Sequence, residues 1–361
     1  MSSAQPIRYG VVGCGDIALR EHLSVLRSLP DAEVVAMTDL LTSQQHLAEE
    51  VLGHSVDFYA ETGALLALTD LDAVLIATPN DSHAQLAAAA LRAGKHVFLE
   101  KPMATTRADA ENLVAVQKET GLALQVGYVF RYSHLFRRMK TLLDEGAIGK
   151  PRLAYCHEFR RPLPAAWRYS TKRTGGVFAE KNCHHFDLFN WFLGQRVASA
   201  SAFGTQALIR DGVSVTDIIG KRWCVERTDI PDNATVGLEF DEGAQATLSL
   251  SFTAPFRHRL EVGVFGDEGL LIAHEDRKVL ELQTENNVQT FEVTHPEGVE
   301  EPVHHGSVEQ HRAFIRAVRG EEEVYCDAKM GLEGLLPAFM AQEALERGEV
   351  VRTLENVTEK R

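Results

Sequence analysis

An α/β fold is predicted. An N-terminal doubly wound parallel sheet precedes an α+β domain built on a large, open, mostly antiparallel sheet. Three observations predict this. Strand-like and helix-like runs alternate through the first third of the chain. A glycine turn, Gly13-Cys14-Gly15-Asp16-Ile17-Ala18, joins the first strand-like run to the first helix-like run. From Gly127 to Arg131 the pattern changes, and strand-like runs then dominate, ending in turns such as Asp241-Glu242-Gly243.

The elements follow in order. Ile7–Val12 reads as a buried strand, and Ile17–Leu29 as a helix with apolar Ile17, Leu19, Leu23, Leu26 and Leu29. Glu33–Thr38 is the second strand, Ser43–Leu52 a helix, Asp57–Tyr59 a short strand and Glu61–Leu68 a short helix. Ala73–Ala77 is continuously apolar, as expected of a strand buried on both faces. The alanine-rich helix Ser82–Arg92 is closed by Gly94, and His96–Leu99 is a strand. Thr106–Thr120 is a helix closed by Gly121, and Leu122–Val126 is the sixth strand.

The second part opens with a helix, Ser133–Glu145. Strands are expected at 152–159, 198–205, 234–240, 243–253, 259–265, 269–274, 278–283 and 289–293. A helix at 177–193 interrupts them, and helices at 308–318 and 328–346 close the chain. The expected division is a nucleotide-binding domain over 1–127 and a substrate-binding and oligomerisation domain over 128–361.

Composition narrows the function. The chain has 361 residues and a formal net charge of -14, which argues against nucleic acid or an anionic membrane as partner. No apolar run approaches a membrane span, and Met1–Pro6 lacks the pattern of a secretory signal. Five scattered cysteines with no C-x-x-C indicate neither a zinc site nor a disulfide framework, and a reducing cytoplasm is expected.

The glycine turn carries the first chemistry. Gly13 permits a tight turn, Gly15 lets backbone amides approach a pyrophosphate, and Ala18 lets the helix pack close to the strand. Asp16 and Ile17 open the helix whose positive end would hold the pyrophosphate. Asp39 ends the second strand, where a carboxylate accepts hydrogen bonds from ribose hydroxyls and repels a 2′-phosphate. Leu40 and Leu41 follow, with no cation nearby, so NAD is expected rather than NADP.

Loops after the strand ends line the ligand crevice of such a sheet. Thr78-Pro79-Asn80 with His83 follows the fourth strand, and Asn80 and His83 are candidates for the nicotinamide end. A Pro-Asn turn with Ser82 as helix cap is compatible with that role. Glu100-Lys101-Pro102 follows the fifth strand. A lysine there can polarise a hydroxyl, although a solvated loop lysine is the plainer reading.

In the run Gly175–Gly194, Glu180 and His184 lie four apart on one helical face, with Asp187 three beyond His184. A histidine beside carboxylates suits proton transfer. A structural histidine is the second reading and a metal pair the third, since adjacent His184 and His185 diverge on a helix. His304 and His305 read as a solvated polar loop. The loop Arg160–Arg173 has five cations. Trp167 and Tyr169 are placed to stack on a sugar ring and Arg168 to bind hydroxyls or a carboxylate; a surface loop pairing with acidic neighbours is the equal alternative. Arg131 is grouped with these substrate-facing candidates.

Together these residues resemble the Gfo/Idh/MocA family of NAD(P)-dependent oxidoreductases. The resemblance rests on the glycine turn, Thr78-Pro79-Asn80 with His83, Glu100-Lys101-Pro102, Gly146-Ala147-Ile148-Gly149-Lys150-Pro151, and the acid-x-x-x-His-x-x-Asp pattern from Glu180 through His184 to Asp187. It implies a Rossmann domain followed by an open-sheet domain whose face makes a homodimer or homotetramer. It implies oxidation of a ring carbinol on a sugar, inositol or related polyol; from the residue spacing, no metal is expected. Lys101 would orient the reacting hydroxyl, His184 would exchange its proton, and Asp187 would orient the substrate or that histidine. The family's usual aspartate is Glu180 here, followed by Lys181, so no particular sugar is carried over. Two alternatives remain: a glycosidase that uses NAD transiently by oxidation and elimination, and a dinucleotide-bound sensor without turnover.

Overall fold

Hydrophobic strand runs of the first third assemble, in the computed structural model, into one six-stranded parallel sheet. The strands are β1 (Ile7–Val12), β2 (Ala32–Thr38), β3 (Asp57–Phe58), β4 (Ala73–Ile76), β5 (His96–Leu99) and β6 (Leu124–Val126), in the order β3-β2-β1-β4-β5-β6. Every residue of β4 is buried, as its unbroken apolar run requires. The order reverses between β1 and β4, and ligands of doubly wound sheets bind at that reversal. The structure describes residues 5–293 and 306–353. His304 and His305 lie outside them.

The second sheet has nine strands: β7 (Pro151–Arg160), β8 (Val197–Thr205), β11 (Asn233–Phe240), β12 (Gln245–Ser251), β13 (His258–Gly266), β14 (Gly269–His274), β15 (Val279–Thr284), β16 (Asn287–Glu292) and β17 (Val351–Arg352). Their order is β16-β15-β14-β13-β7-β12-β11-β8-β17. Every pair is antiparallel except β7 with β12. β9 (Val213–Thr216) and β10 (Arg222–Val225) form a separate hairpin that the sequence pattern did not disclose. They are four residues each and mostly exposed, so they carry little hydrophobic signal. The Asp217 carboxylate closes their turn by accepting from the amides of Ile219 (3.1 Å) and Lys221 (2.8 Å).

Two expected helices begin irregularly. Ala18–Leu23 and Phe178–Asn182 are π-helical turns, continued by α-helices Ser24–Ser28 and Cys183–Leu193. Such turns occur frequently at functional sites. Both hold buried charged or polar side chains, Glu21 and His22 in one, Glu180 and Asn182 in the other. Among the described residues, no helix is long and apolar enough to cross a membrane.

The compact units are discontinuous in sequence. One contains the residues up to 133 together with 296–332, and the other contains 134–295 together with 333–361. The sequence reading drew one division, between 127 and 128. Helix Ser307–Val318 belongs to the first unit because its apolar face completes that core. Phe314 is fully buried, 5.6 Å from the ring of Phe98 on β5 and 6.1 Å from Tyr9 on β1. Phe314→Ala is expected to cost about 3–5 kcal/mol of unfolding free energy. Denaturant unfolding of the whole chain checks this, and an unchanged midpoint would contradict that role for the helix.

Candidate active site

The glycine turn emerges from β1 under two distinct constraints. Gly13 has φ +85°, and a Cβ there would lie 2.7 Å from Thr78 Cγ2. Internal geometry therefore demands that glycine. Gly15 is different: it lies outside the left-handed region, and a Cβ there would meet no protein atom within 4 Å. Nothing within the chain requires Gly15. The Asp39 carboxylate accepts from the Cys14 amide at 2.8 Å and from the Leu41 amide at 2.9 Å. It thereby ties the turn to the end of β2. Burial and the nearby Asp39 push the Cys14 thiol up to about 12, so it remains protonated. Asp16 is exposed and pairs with Arg20 at 3.5 Å, while Ile17 is half-buried. Leu40 is wholly exposed beyond Asp39.

Across the order reversal, the loops after β4 and β5 are joined to each other. His83 is buried, with Nδ1 2.7 Å from the Pro102 carbonyl oxygen and Nε2 2.8 Å from that of Thr78. Its ring nitrogens thus face two carbonyls behind the loops, and its place is to hold the loops together. Asn80 is also buried, and Thr78 Oγ1 lies 2.7 Å from Ser82 Oγ. The Lys101–Pro102 peptide is cis. Lys101 is half-buried, and its amide donates to Glu100 Oε2 at 3.0 Å. Arg131 is buried, with its guanidinium 5.7 Å from the ring centre of Tyr325.

In the second unit, Glu180, His184 and Asp187 are all buried on the helix that begins with the π-turn. Glu180 forms an ion pair with Arg168, whose guanidinium lies 4.9 Å from the ring of Trp167. Arg173 lies 5.9 Å from the same ring. The expectation that Tyr169 stacks on a sugar is not met. It is buried, its hydroxyl donates to the Leu163 carbonyl at 2.9 Å, and its ring packs edge-on to Trp223 at 5.2 Å. Trp223 belongs to β10, so the β9–β10 hairpin packs against this ring.

Beneath this helix stands Glu158 on β7, which the sequence reading missed. Lys181 approaches its carboxylate at 2.9 Å, Arg160 at 3.2 Å, and His185 and His258 at 3.6 Å each. Burial alone would raise its pKa. Lys181 foremost, with Arg160 and the nearby His258, outweighs burial and holds it well below the usual carboxylate range. The available signal was its phase: Ala154, Cys156 and Glu158 share the buried face of one strand. His185 is fully buried, and burial pushes it down to about 3.

Comparison with known proteins follows the same division. Residues 7–128 match the model of an oxidoreductase family with an NAD-binding Rossmann fold, and residues 136–272 match the GFO/IDH/MocA C-terminal domain. The chain belongs to the Gfo/Idh/MocA oxidoreductase family. A relative in Thermotoga maritima, a myo-inositol 2-dehydrogenase, is 27% identical over 96% of this chain and 98% of its own length. An inositol 2-dehydrogenase of Rhizobium meliloti is 30% identical over 76% and 77%, respectively. Two solved structures share the fold. The scyllo-inositol dehydrogenase of Lactobacillus casei has TM-score 0.77 and 23% identity, over 96% of this chain and 98% of that one. An oxidoreductase domain protein of Kribbella flavida has TM-score 0.84 and 21% identity, over 97% and 99%. As a member of this family the chain is an oxidoreductase, and its first unit carries an NAD-binding domain.

The two glycines provide a direct check. Gly13→Ala is expected to destabilise the chain by about 1–3 kcal/mol through strain. Gly15→Val is expected to leave stability within about 0.5 kcal/mol while weakening NAD binding about tenfold or more, roughly 1.4 kcal/mol. Thermal unfolding and calorimetric titration measure these, and undiminished affinity in Gly15→Val would contradict the cradle. Acid stability provides a second check. His185 is neutral in the fold but protonates in the unfolded chain below its ordinary value of 6.5. The unfolded state therefore binds more protons between pH 6.5 and about 3, and stability falls as pH falls through that window. His185→Asn is expected to reduce the slope between these limits by about 1.4 kcal/mol per pH unit. An unaltered slope in urea titrations would exclude the assignment.

Proposed function

We propose that this chain is an NAD-dependent dehydrogenase that oxidises a ring carbinol of an inositol or related cyclic polyol. The single observation that carries the NAD reading is Gly15. It is a glycine that neither backbone conformation nor internal packing requires, beside an Asp39 carboxylate anchored to two amides. Gly13, Gly15, Asp16 and Ile17 would hold the pyrophosphate, and Asp39 the adenosine ribose. Bound NAD supplies the hydride acceptor. The names of the inositol-oxidising relatives support the polyol class.

The chain's own residues then have distinct tasks. Lys101 orients the reacting hydroxyl and stabilises the oxygen as it loses its proton. His184 accepts that proton, and Asp187 orients the imidazole or the substrate. Glu180, already charge-paired with Arg168, binds a neighbouring hydroxyl. Lys181 is held by Glu158. His83 and Glu100 hold the loops that carry Asn80 and Lys101.

The same reading includes self-association. Leu153, Tyr155, His157 and Phe159 of β7 lie on the face opposite Ala154, Cys156 and Glu158 and remain partly open. We infer that a second copy covers this face. Light scattering is expected to give a dimer or tetramer, and a monomer at working concentration would refute the inference.

A panel of inositols, aldoses, uronates and glycosides, followed by NADH absorbance, tests the activity. At least one cyclic polyol is expected to yield NADH. Lys101→Ala and His184→Ala are each expected to lose about 10²–10⁴-fold in kcat. Unchanged turnover in either variant would sink its role. Release of an aglycone without net NADH would replace oxidation by the transient-oxidation glycosidase.

A further inference from the structure

Two histidines outside every motif of the sequence reading meet at the centre of the first unit. His22 lies in the π-turn after the glycine loop, and His311 lies in helix Ser307–Val318, 289 residues away. Both are fully buried. His22 Nδ1 is 2.9 Å from His311 Nε2, and His22 Nε2 is 3.0 Å from Glu100 Oε1. The other Glu100 oxygen accepts the Lys101 amide. Three hydrogen bonds thus connect helix Ser307–Val318 to the lysine of the proposed reaction.

The surroundings hold this chain of groups in place. The His311 ring stacks on Phe98 at 4.5 Å and 12°, and the His22 ring meets Phe98 edge-on at 5.3 Å. Glu21, next to His22, pairs with Ser307 Oγ, so the same two elements are joined twice. Gly306 fixes the entry to the helix: its φ is +114°, and a Cβ would lie 2.7 Å from the Ser133 amide nitrogen. Gly127 leaves room for the carboxylate, since a Cβ there would sit 3.0 Å from Glu100 Oε1.

Hydrogen-bond logic gives the chain a direction. An ionised Glu100 only accepts, so His22 presents Nε2–H to it. His22 Nδ1 then accepts from His311 Nε2–H. His311 Nδ1, which has no partner among the described residues, is left as a lone pair. The reverse direction needs a protonated Glu100 or a doubly protonated His22, and either leaves a buried His311 N–H unpaired, which is the costlier defect. Burial, then the adjacent His22, hold the basicity of His311 well below its ordinary value and keep this ring neutral.

We propose that His22 and His311 are positioning residues for Lys101: a buried imidazole pair, both protonated on Nε2, that fixes the Glu100 carboxylate and through it the backbone of the lysine. The proposal rests on the dehydrogenase reading for its kinetic consequence but not for its tautomers.

The test has two parts. In histidine-¹⁵N-labelled whole protein, two-bond ¹H–¹⁵N correlations are expected to show His22 and His311 neutral, each with its proton on Nε2. A proton on His22 Nδ1 would overturn the proposal whatever the enzyme does. In kinetics, His311→Phe keeps the stacked ring and removes the donor. It is expected to lower kcat about tenfold or more through a misplaced lysine, with KM for NAD changed less than about twofold and a wild-type unfolding midpoint. Wild-type kcat in folded His311→Phe would overturn the proposal. If that variant does not fold, His22→Gln, which retains a donor toward Glu100, is compared with His22→Leu. Gln is expected to restore kcat relative to Leu, and equal kcat in the two would overturn it. Absence of polyol oxidation by the wild-type chain would refute the dehydrogenase reading, and the tautomer measurement would still decide the pair.

Discussion

The Asp39 carboxylate accepting the amides of Cys14 and Leu41 is the interaction on which the nucleotide end of this chain depends. It joins the glycine turn after β1 to the first residue beyond β2. A carboxylate anchored by backbone donors holds its position without needing a cation, and its remaining lone pairs stay available to hydroxyls. Burial, and then the same charge, raise the thiol of Cys14; a carboxylate at this strand end disfavours a 2′-phosphate on the ribose of a bound dinucleotide. One residue therefore supports the turn and, in the reading proposed above, selects NAD over NADP.

A second carboxylate organises the other unit. Glu158 is buried without loss of charge because Lys181 and Arg160 reach it from two elements. Its attraction positions Lys181 beside Glu180 in the π-turn, while Arg168 engages Glu180 from the loop above. Two cations of that loop, Arg160 and Arg168, are thus held by internal carboxylates. Buried pairs of this kind give little net stability but fix geometry, because removal of one partner leaves the other charged and unpaired.

Much of the first unit was legible in the sequence because its signals are local. A strand buried on both faces reads as an apolar run, and β4 is one. The glycine turn, Asp39 and the loop after β5 are all read from short motifs at the ends of strands. What was hidden depends on distant partners. Tyr169 reads as a candidate sugar platform until the β9–β10 hairpin is seen to cover it, and that hairpin carries too few buried residues to announce itself. His22 sat within the apolar stripe of its helix, three residues after Leu19, yet its partners come from β5 and from residue 311. The discontinuous first unit had no local signature at all, since Phe314 declares its allegiance only by packing on Phe98 and Tyr9.

Direct transfer of hydrogen from a carbinol carbon to the cofactor is the central claim of this account. Incubating the whole chain with NAD and cyclic polyols, each deuterated at its carbinol carbons, tests it most directly. Mass spectrometry of the reduced cofactor is expected to show one deuteron per NADH with at least one polyol, formed about 10²–10⁴-fold more slowly by Lys101→Ala. NADH that carries no deuterium, or no NADH from any polyol in the panel, would contradict it.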